Sequence, residues 1–160
     1  MPETPIYEIQ DGNHTISDDF RRLDLEKIYG WISRESYWAA GIPHSTFIKA
    51  LNHSLCFGLY AADKTQIGFA RVTSDHATYG YLQDVWIDHA YRGRGLGKIL
   101  MKALFAHPEL QGFRRWTLAT RDAHGLYQQF GFTALADPTR LMERLDPEVY
   151  RLIQADKEHR

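Results

Sequence analysis

The sequence holds only one cysteine in 160 residues, Cys56. A single cysteine cannot form a disulfide within the chain, and this usage is typical of a reducing compartment. The apolar neighbours of Cys56 favour a buried thiol that packs as a small hydrophobic group over a reactive nucleophile. Because there is no second cysteine, and no pair of histidines at helical spacing, we expect no metal site.

The sequence also lacks an excess of charge of either sign and any long apolar stretch. The formal net charge is -1, from 19 Lys and Arg against 20 Asp and Glu. This balance argues against a nucleic-acid-binding protein, which usually carries a basic face. No apolar run approaches the roughly 20 residues of a membrane span, and the first residues lack the segments of a signal peptide. We therefore expect a cytoplasmic protein that binds neither nucleic acid nor a membrane.

The length and apolar content predict one folded unit. The hydrophobic content is 44% over 160 residues, which is enough for one core and short for two. We expect a single domain over residues 1–146. Residues 147–160 form a C-terminal tail in this prediction, with helical spacing at residues 149–153 followed by charged residues.

Hydrophobic periodicity and turn residues predict the order of elements. The first half contains a strand, two helices and three antiparallel strands, at residues 6–9, 18–33, 45–51, 55–61, 67–73 and a stretch ending at Asp88. The second half contains a helix, a strand, a short helix and two final strands, at residues 96–106, 113–120, 125–130, near Phe132 and 140–145. A crossover helix makes the strands before and after it parallel.

A glycine-rich turn joins the strand that ends at Asp88 to the next helix. It consists of Arg92, Gly93, Arg94, Gly95, Leu96, Gly97 and Lys98. Glycine lets successive backbone N–H groups point to a common centre, and the first N–H groups of a helix have no internal partner. The helix dipole and the three cations favour an anion at the same place. The pattern indicates a phosphate or pyrophosphate site; the alternative is a surface turn with solvated cations.

Two familiar phosphate loops are excluded by spacing. A P-loop requires Gly at the position of Arg92 and Ser or Thr at the position of Ile99. A dinucleotide fingerprint that starts at Gly93 or Gly95 requires a third glycine, where Lys98 or Leu100 stands. A nucleotide-binding protein with another kind of phosphate loop stays a candidate.

The motif Arg92-x-x-Gly95-x-Gly97 resembles the acetyl-CoA loop of the GCN5-related N-acetyltransferase (GNAT) family. The family pattern is Gln/Arg-x-x-Gly-x-Gly/Ala between the fourth strand and the third helix. Residues 122–132, with the sequence DAHGLYQQFGF, look like the helix and closing Gly-Phe of the same family. Both motifs occur in the family's order, and the resemblance covers roughly residues 55–145.

The resemblance implies an α+β acyl-CoA N-acetyltransferase fold. Its central sheet is mixed and mostly antiparallel with flanking helices, and its parallel strands 4 and 5 splay apart around the pantetheine arm of acetyl-CoA. The implied reaction moves acetyl from acetyl-CoA to a primary amine of a small molecule or peptide, by direct attack in a ternary complex. Homodimers are common among similar proteins, so a homodimer is an expected assembly. The alternative is a non-catalytic acyl-CoA-binding sensor or regulatory module.

The resemblance also assigns cofactor contacts. Residues 92–98 would hold the pyrophosphate, and the backbone around Ile87 would pair with pantetheine. Asp122 stands where the family usually has Asn. An ionised carboxylate accepts hydrogen bonds but cannot donate one, so Asp122 either contacts the cofactor differently or caps the helix that carries Tyr127.

Tyr127 and Asp84 are the predicted catalytic residues. Tyr127 matches the tyrosine that commonly protonates the leaving thiolate in this family; its alternative role is a core aromatic residue. Asp84 would receive a proton from the amine or attract a cationic amine, or would be a carboxylate bonded to the nearby backbone. In similar polyamine acetyltransferases an acid stands at the position of Gln83, which we assign to the substrate site.

Tyr37 and Trp38 are the remaining predicted substrate residues. They fall in the aromatic loop over residues 36–43, where the family builds the wall of the acceptor pocket. They would line a site for a flat or apolar amine, or pack over cationic carbon chains. The alternative is that they close the hydrophobic core, which is the role we favour for Trp31.

Overall fold

A computed structural model describes residues 3–160 of the chain. Within these residues lies one sheet of six strands in chain order. The strands are β1 Glu8–Asp11, β2 His14–Ser17, β3 Leu55–Tyr60, β4 Gln66–Ser74, β5 Tyr79–Ile87 and β6 Arg115–Thr117. Neighbours are antiparallel except β5 and β6, which are parallel because a helical crossover connects them. The predicted α+β fold with a mixed, mostly antiparallel sheet is confirmed.

In the same part of the chain, five α-helices flank the sheet. They are α1 Leu25–Tyr29, α2 His44–Asn52, α3 Leu96–Phe105, α4 His124–Gln128 and α5 Val149–Glu158. α1 passes directly into a π-helical stretch, Gly30–Glu35. No helix among residues 3–160 is long and apolar enough to cross a membrane.

The core consists of two buried clusters on opposite faces of the sheet. Successive strand residues point to opposite faces, so Phe57 belongs to the cluster of α3 and the neighbouring Cys56 to the cluster of α2. Leu100 and Leu104 are fully buried in the α3 cluster. The Cys56 thiol is buried as predicted, and this burial raises its pKa to about 12. The thiol is therefore protonated and unreactive at neutral pH.

β5 and β6 separate soon after they meet. Their pairing is limited to Tyr79–Tyr81 against Arg115–Thr117. Farther along, the segment of β5 between Gln83 and Trp86 has one residue more than the segment of β4 that pairs with it, between Phe69 and Arg71. This bulge puts Asp84 at a φ of 54°, and a bulge bends its strand away from a straight ladder. β5 and β6 are therefore the two parallel strands that were expected to splay. They were predicted as strands 4 and 5, and the numbers differ because the prediction missed β2.

Several predicted elements were wrong in place or kind. The first strand is Glu8–Asp11 instead of residues 6–9, and β2 follows it in a hairpin whose turn has Gly12 at a φ of 57°. The expected helix over residues 18–33 begins only at Leu25. The strands expected near Phe132 and over 140–145 are absent from the described residues. Among the described residues, no neighbouring strand pairs with those two segments.

The C-terminal helix packs against the rest of the chain. α5 continues to Glu158, beyond the expected residues 149–153. Tyr150 is partly buried against the cluster of α1 and α2, and Lys157 Nζ donates to Ser45 Oγ at 2.6 Å. The last part of the chain therefore lies on the α1 and α2 face of the sheet.

We expect Gly80→Ala to disturb the junction of β5 and β6. Gly80 faces Trp116 in the pairing, and a Cβ on Gly80 would lie 2.6 Å from Cε3 of that indole. Overpacking of this kind lowers the free energy of unfolding by about 1–3 kcal/mol, which urea denaturation measures.

Gly125→Ala is the matched control for that variant. A Cβ at Gly125 meets no atom within 4 Å, and alanine suits a helix better than glycine by roughly 0.5–1 kcal/mol. The control should therefore keep or raise stability. If Gly80→Ala is as stable as the unchanged protein, the junction is not closely packed.

Candidate active site

The turn before α3 presents a row of unpaired backbone N–H groups. Gly93 and Gly95 have φ of 77° and 74°, a region that favours glycine. Gly95 immediately precedes the first turn of α3. Within residues 3–160, no backbone acceptor bonds to the N–H groups from Gly93 to Lys98. Unpaired N–H groups at the positive end of a helix form an anion-binding site.

The two arginines of the turn are anchored to the segment before it. Arg92 Nε donates to the carbonyl oxygen of Ile87 at 2.9 Å, and its guanidinium lies 4.6 Å from the centre of the Trp86 ring. Arg94 Nη2 donates to the carbonyl oxygen of Ala90 at 3.3 Å. Both side chains remain exposed, so their positive charge is available beside the unpaired N–H groups.

A cavity of about 310 Å³ opens at this turn. Its lining includes these predicted cofactor residues: Ile87, Arg92, Gly93, Gly95, Leu96, Gly97 and Lys98. Arg94 is adjacent to them in the sequence but does not line this cavity. α4 closes one side, and a Cβ on Gly97 would lie 3.3 Å from Leu126 Cδ2. Glycine at 97 therefore allows α4 to approach the start of α3.

A second cavity, of about 490 Å³, lies beside the first. Its lining brings together six predicted residues from distant parts of the chain: Tyr37, Trp38, Gln83, Asp84, Asp122 and Tyr127. On α4, Leu126 lines the first cavity and the next residue, Tyr127, lines the second. On β5, Ile87 lines the first and Val85 the second. The two cavities therefore lie next to each other along β5 and α4, on the side of β5 that no strand covers beyond Tyr81.

The backbone of β5 faces this opening beyond the bulge. Asp88 N–H donates to the carbonyl oxygen of Ile67 on β4 at 2.8 Å. Because N–H groups alternate in direction along a strand, those of Ile87 and Val85 point away from β4. No described strand pairs with β5 on that side beyond Tyr81. Two strand N–H groups are thus directed to the side of β5 on which both cavities lie.

Asp84 is buried and held by two partners. It is 7% exposed, and its Oδ1 accepts from Trp38 Nε1 at 2.7 Å. Its Oδ2 accepts from Arg71 Nε at 2.8 Å, while Arg71 Nη1 donates to Ser54 Oγ at 3.0 Å. The carboxylate is therefore bonded to side chains instead of the backbone, and its charge is balanced inside the cavity wall.

Tyr127 presents a phenol that stays neutral. The side chain is 8% exposed. Burial, followed by the charges of Tyr37 and Asp122, raises its pKa to about 12. A phenol with a pKa far above neutrality keeps its proton across the physiological range, so Tyr127 can give one to a strong base formed in the cavity.

Tyr37 and Trp38 form one wall of the second cavity. Their rings meet edge to face at 5.0 Å. The Tyr37 hydroxyl accepts from the backbone N–H of Arg121 at 3.0 Å, and the Arg121 guanidinium lies 3.9 Å from the centre of the Tyr37 ring. These contacts of Tyr37 attach the loop over residues 36–43 to the segment before α4. On β5, Gln83 Nε2 donates to Thr73 Oγ1 at 2.6 Å.

Asp122 does not cap the helix of Tyr127, so that alternative is wrong. The residue before α4 is Ala123, and no side chain caps the helix. The Ala123 N–H instead bonds to Thr120 Oγ1 at 3.0 Å. Asp122 is exposed and lies in the second cavity, apart from the glycine turn.

Among the lining residues of the second cavity that were not predicted, four carry a charged or phenolic side chain: Arg71, Tyr81, Arg121 and Tyr150. A charged residue between Ala70 and Val72 in a buried strand was a readable signal, because a buried charge requires a partner. Tyr150 offered no such signal, since its place depends on how α5 returns to the sheet. Among residues 3–160, no group of three or more His, Cys, Asp or Glu side chains could hold a metal ion.

The comparison with known families agrees with this geometry. The Acetyltransferase (GNAT) family model matches residues 25–132. The chain belongs to the GNAT family. The match includes both the glycine turn and α4. This GNAT protein is therefore an N-acetyltransferase, and the family uses acetyl-CoA as its acetyl donor.

Relatives of this GNAT protein include both solved structures and proteins known by sequence. A crystal structure from Xanthomonas campestris pv. campestris, named as a GNAT-family acetyltransferase, is 47% identical with a TM-score of 0.83, over 88% of this chain and 99% of that one. A protein of Gibberella zeae named as an acetyltransferase is 31% identical, over 72% of this chain and 76% of its own length. GCN5-related N-acetyltransferase 2, chloroplastic, of Arabidopsis thaliana is 38% identical over 66% of this chain, which spans 46% of that protein.

We expect the pair of Asp84 and Arg71 to stabilise the fold only as a pair. Their side chains are 7% and 13% exposed, and removing one partner leaves a buried charge, which costs about 3–5 kcal/mol. Asp84→Leu and Arg71→Met should each lower the free energy of unfolding by that amount. The double variant should lose less than either single one, because no charge is left behind.

Urea denaturation of this double-mutant cycle measures the coupling. The exposed pair of Arg151 and Glu148 supplies the control, since its side chains are 72% and 58% exposed. Arg151→Met should change stability by less than about 1 kcal/mol. Additive losses in the cycle would mean that Asp84 and Arg71 do not depend on each other.

Proposed function

We propose that this GNAT enzyme transfers acetyl from acetyl-CoA to a primary amine of a small molecule or peptide, by direct attack in a ternary complex. The observation that carries the proposal is that the two cavities adjoin along β5 and α4. Leu126 faces one cavity and Tyr127 the other. Donor and acceptor can therefore be held at the same time, and the transfer needs no covalent bond to the protein.

The first cavity suits the pyrophosphate of coenzyme A. The unpaired N–H groups from Gly93 to Lys98 would hold its oxygens, with Arg92 and Arg94 adding positive charge. Gly97 fits the same purpose, because a side chain there would press on Leu126 and narrow the cavity. When bound, acetyl-CoA supplies an acetyl group already activated as a thioester.

The β5 backbone would guide the reacting end of the donor. The N–H groups of Val85 and Ile87 are directed into the opening, where an extended pantetheine arm can accept hydrogen bonds from them. An N–H group that faces the thioester carbonyl oxygen would stabilise the negative charge that develops there. Because the bulge fixes these donors beforehand, they need no rearrangement during the reaction.

Tyr127 would protonate the departing thiolate. Its neutral phenol lies at the boundary between the two cavities, on the residue after Leu126. The raised pKa keeps the phenol protonated at neutral pH, so its O–H is available to the leaving sulfur. Proton donation as the C–S bond breaks stabilises the leaving group and favours collapse of the intermediate to the amide.

Asp84 stays our prediction for the proton acceptor from the amine. Of the two carboxylates in the cavity lining, Asp84 is buried and Asp122 is exposed. Each Asp84 oxygen has a second lone pair beyond the bonds from Trp38 and Arg71. An amine can therefore approach Asp84 directly or through one water.

The cavity walls favour a particular kind of amine. Tyr37, Trp38 and Tyr81 supply aromatic surface, while Arg71 already balances the charge of Asp84. A polyamine needs several unbalanced carboxylates, which this lining lacks. The acceptor is therefore a small amine or a peptide amine with an apolar or flat group next to the nitrogen.

Tyr127→Phe should lower turnover by about 100- to 10,000-fold, the usual effect of losing a general acid. Acetyl-CoA affinity should stay nearly unchanged, since the phenol acts on the leaving group. A thiol-release assay with a panel of amines measures turnover, and calorimetry measures affinity. Tyr81→Phe is the control, because Tyr81 lines the same cavity and should keep its turnover.

Unchanged turnover in Tyr127→Phe would remove this residue from the mechanism. If none of the amines in the panel causes thiol release, and the unchanged protein still binds acetyl-CoA tightly, the sensor role is favoured instead.

Gly95→Ala should weaken acetyl-CoA binding about 5- to 30-fold, which corresponds to the 1–2 kcal/mol that a left-handed backbone costs alanine. Gly95 has a φ of 74°, and relaxing it would turn the N–H row away from the anion. Gly12→Ala carries a similar strain at a φ of 57° in the distant β1–β2 turn, so it should leave affinity unchanged.

Isothermal titration calorimetry with desulfo-CoA measures this difference. ATP at the same concentration should not displace desulfo-CoA, because the opening between β5 and β6 accepts a pantetheine arm. Equal affinity in Gly95→Ala and the unchanged protein would show that the turn does not bind the cofactor.

A further inference from the structure

Arg121 brings a positive charge to the second cavity that no carboxylate contacts. The residue lines this cavity and is exposed. Within residues 3–160, none of the ion pairs includes its guanidinium. The other arginine of the lining, Arg71, is already paired with Asp84. The side chain of Arg121 is therefore the cation of this lining that is available to a ligand.

Tyr37 holds the Arg121 guanidinium in place. The central carbon of the guanidinium lies 3.9 Å from the centre of the Tyr37 ring, so it rests against the ring face. The Arg121 N–H also donates to the Tyr37 hydroxyl at 3.0 Å. Stacking on an aromatic ring leaves the N–H groups of the guanidinium free, since they point outward in its plane. Two of them can bind both oxygens of one carboxylate.

The charged side chains of the cavity suit a ligand with one charge of each sign. The lining has two cations and two anions: Arg71, Asp84, Arg121 and Asp122. Arg71 and Asp84 form an ion pair, whereas Arg121 and Asp122 do not pair with each other. A polycation or a phosphate dianion would bring a charge that lacks a partner, which is costly in a cavity. An amine that also carries a carboxylate fits this balance.

The two ends of such a ligand have separate places on the aromatic wall. Asp84 Oδ1 accepts from Trp38 Nε1 at 2.7 Å, whereas Arg121 lies on Tyr37. The Tyr37 and Trp38 rings meet edge to face at 5.0 Å, so the carboxylate and the guanidinium belong to neighbouring rings. A flat or apolar group along this wall can have its nitrogen near Asp84 and an anionic group near Arg121.

We propose that Arg121 is a specificity-determining residue, which selects acceptors whose amine is joined through a flat or apolar group to a carboxylate. Its guanidinium binds that carboxylate. Given the proposed function, on which this role rests, the acceptor is an aminocarboxylate. Arg121 binds a part of the acceptor that does not react, so its loss should raise the Michaelis constant more than it lowers turnover.

Matched pairs of acceptors test the role of Arg121. The pairs are para-aminomethylbenzoate with para-aminomethylbenzamide, and para-aminoethylbenzoate with para-aminoethylbenzamide. The unchanged protein should prefer the carboxylate in kcat/KM by about 10- to 100-fold in at least one pair, the usual effect of a hydrogen-bonded charge pair. Arg121→Gln should abolish this preference, and Arg121→Lys should keep part of it, because lysine retains the charge without the planar fork.

The ratio within a pair is the measured quantity, because a disturbed cavity wall would slow both members alike. Arg114→Gln is the matched control. Arg114 is also exposed and precedes β6, whereas Arg121 follows it, and Arg114 does not line the cavity. The control should keep the full preference. If the unchanged protein acetylates both members of each pair equally well, the role of Arg121 is refuted while acetyl transfer to amines stands. A preference that survives in Arg121→Gln refutes it too.

Binding separates this role from the proposed function. Should no amine be acetylated, calorimetry of the benzoates and benzamides with the desulfo-CoA complex decides. Tighter binding of a benzoate than of its benzamide, lost in Arg121→Gln and kept in Arg114→Gln, would support the carboxylate site in a protein without turnover. Equal binding of the two members in every pair would overturn it.

Discussion

The extra residue of β5 between Gln83 and Trp86 is the constraint on which the site depends. It breaks the ladder with β4 and puts Asp84 in a left-handed backbone conformation. It also turns the N–H groups of Val85 and Ile87 into the gap beside β6. Because a bulge bends its strand, it fits a β5 that lies parallel to β6 at its start and separates from it afterwards. The bulge therefore joins the anion turn to the aromatic cavity.

Two parts of the candidate site leave backbone polar groups without protein partners, and each has a proposed occupant. The turn from Gly93 to Lys98 suits a diphosphate, and the β5 bulge suits the pantetheine arm. Because a buried N–H or C=O without a partner is costly, such groups are left at the surface or where something else binds. Their grouping around β5 and β6 is the main structural support for the proposals.

The prediction of secondary-structure elements around this site was right where the signal was local. The glycine turn and α4 carry compact motifs, so the amino-acid order alone assigns Arg92, Gly95 and Tyr127 to the right elements. β2 was missed because its four residues carry little periodicity. The strands expected near Phe132 and at residues 140–145 were wrong, since a short apolar segment says nothing of the neighbouring strand that it needs.

The sequence by itself determined the fold class and the positions of the two motifs, because glycine conformation, helix periodicity and strand alternation act over a few residues. Only the tertiary structure decided that Arg71 and Trp38 hold Asp84, that Tyr150 reaches the second cavity, and that β6 has an open edge. These features join residues far apart in the chain. Their geometry depends on a one-residue bulge and on the return of α5, and neither leaves a local pattern in the amino-acid order.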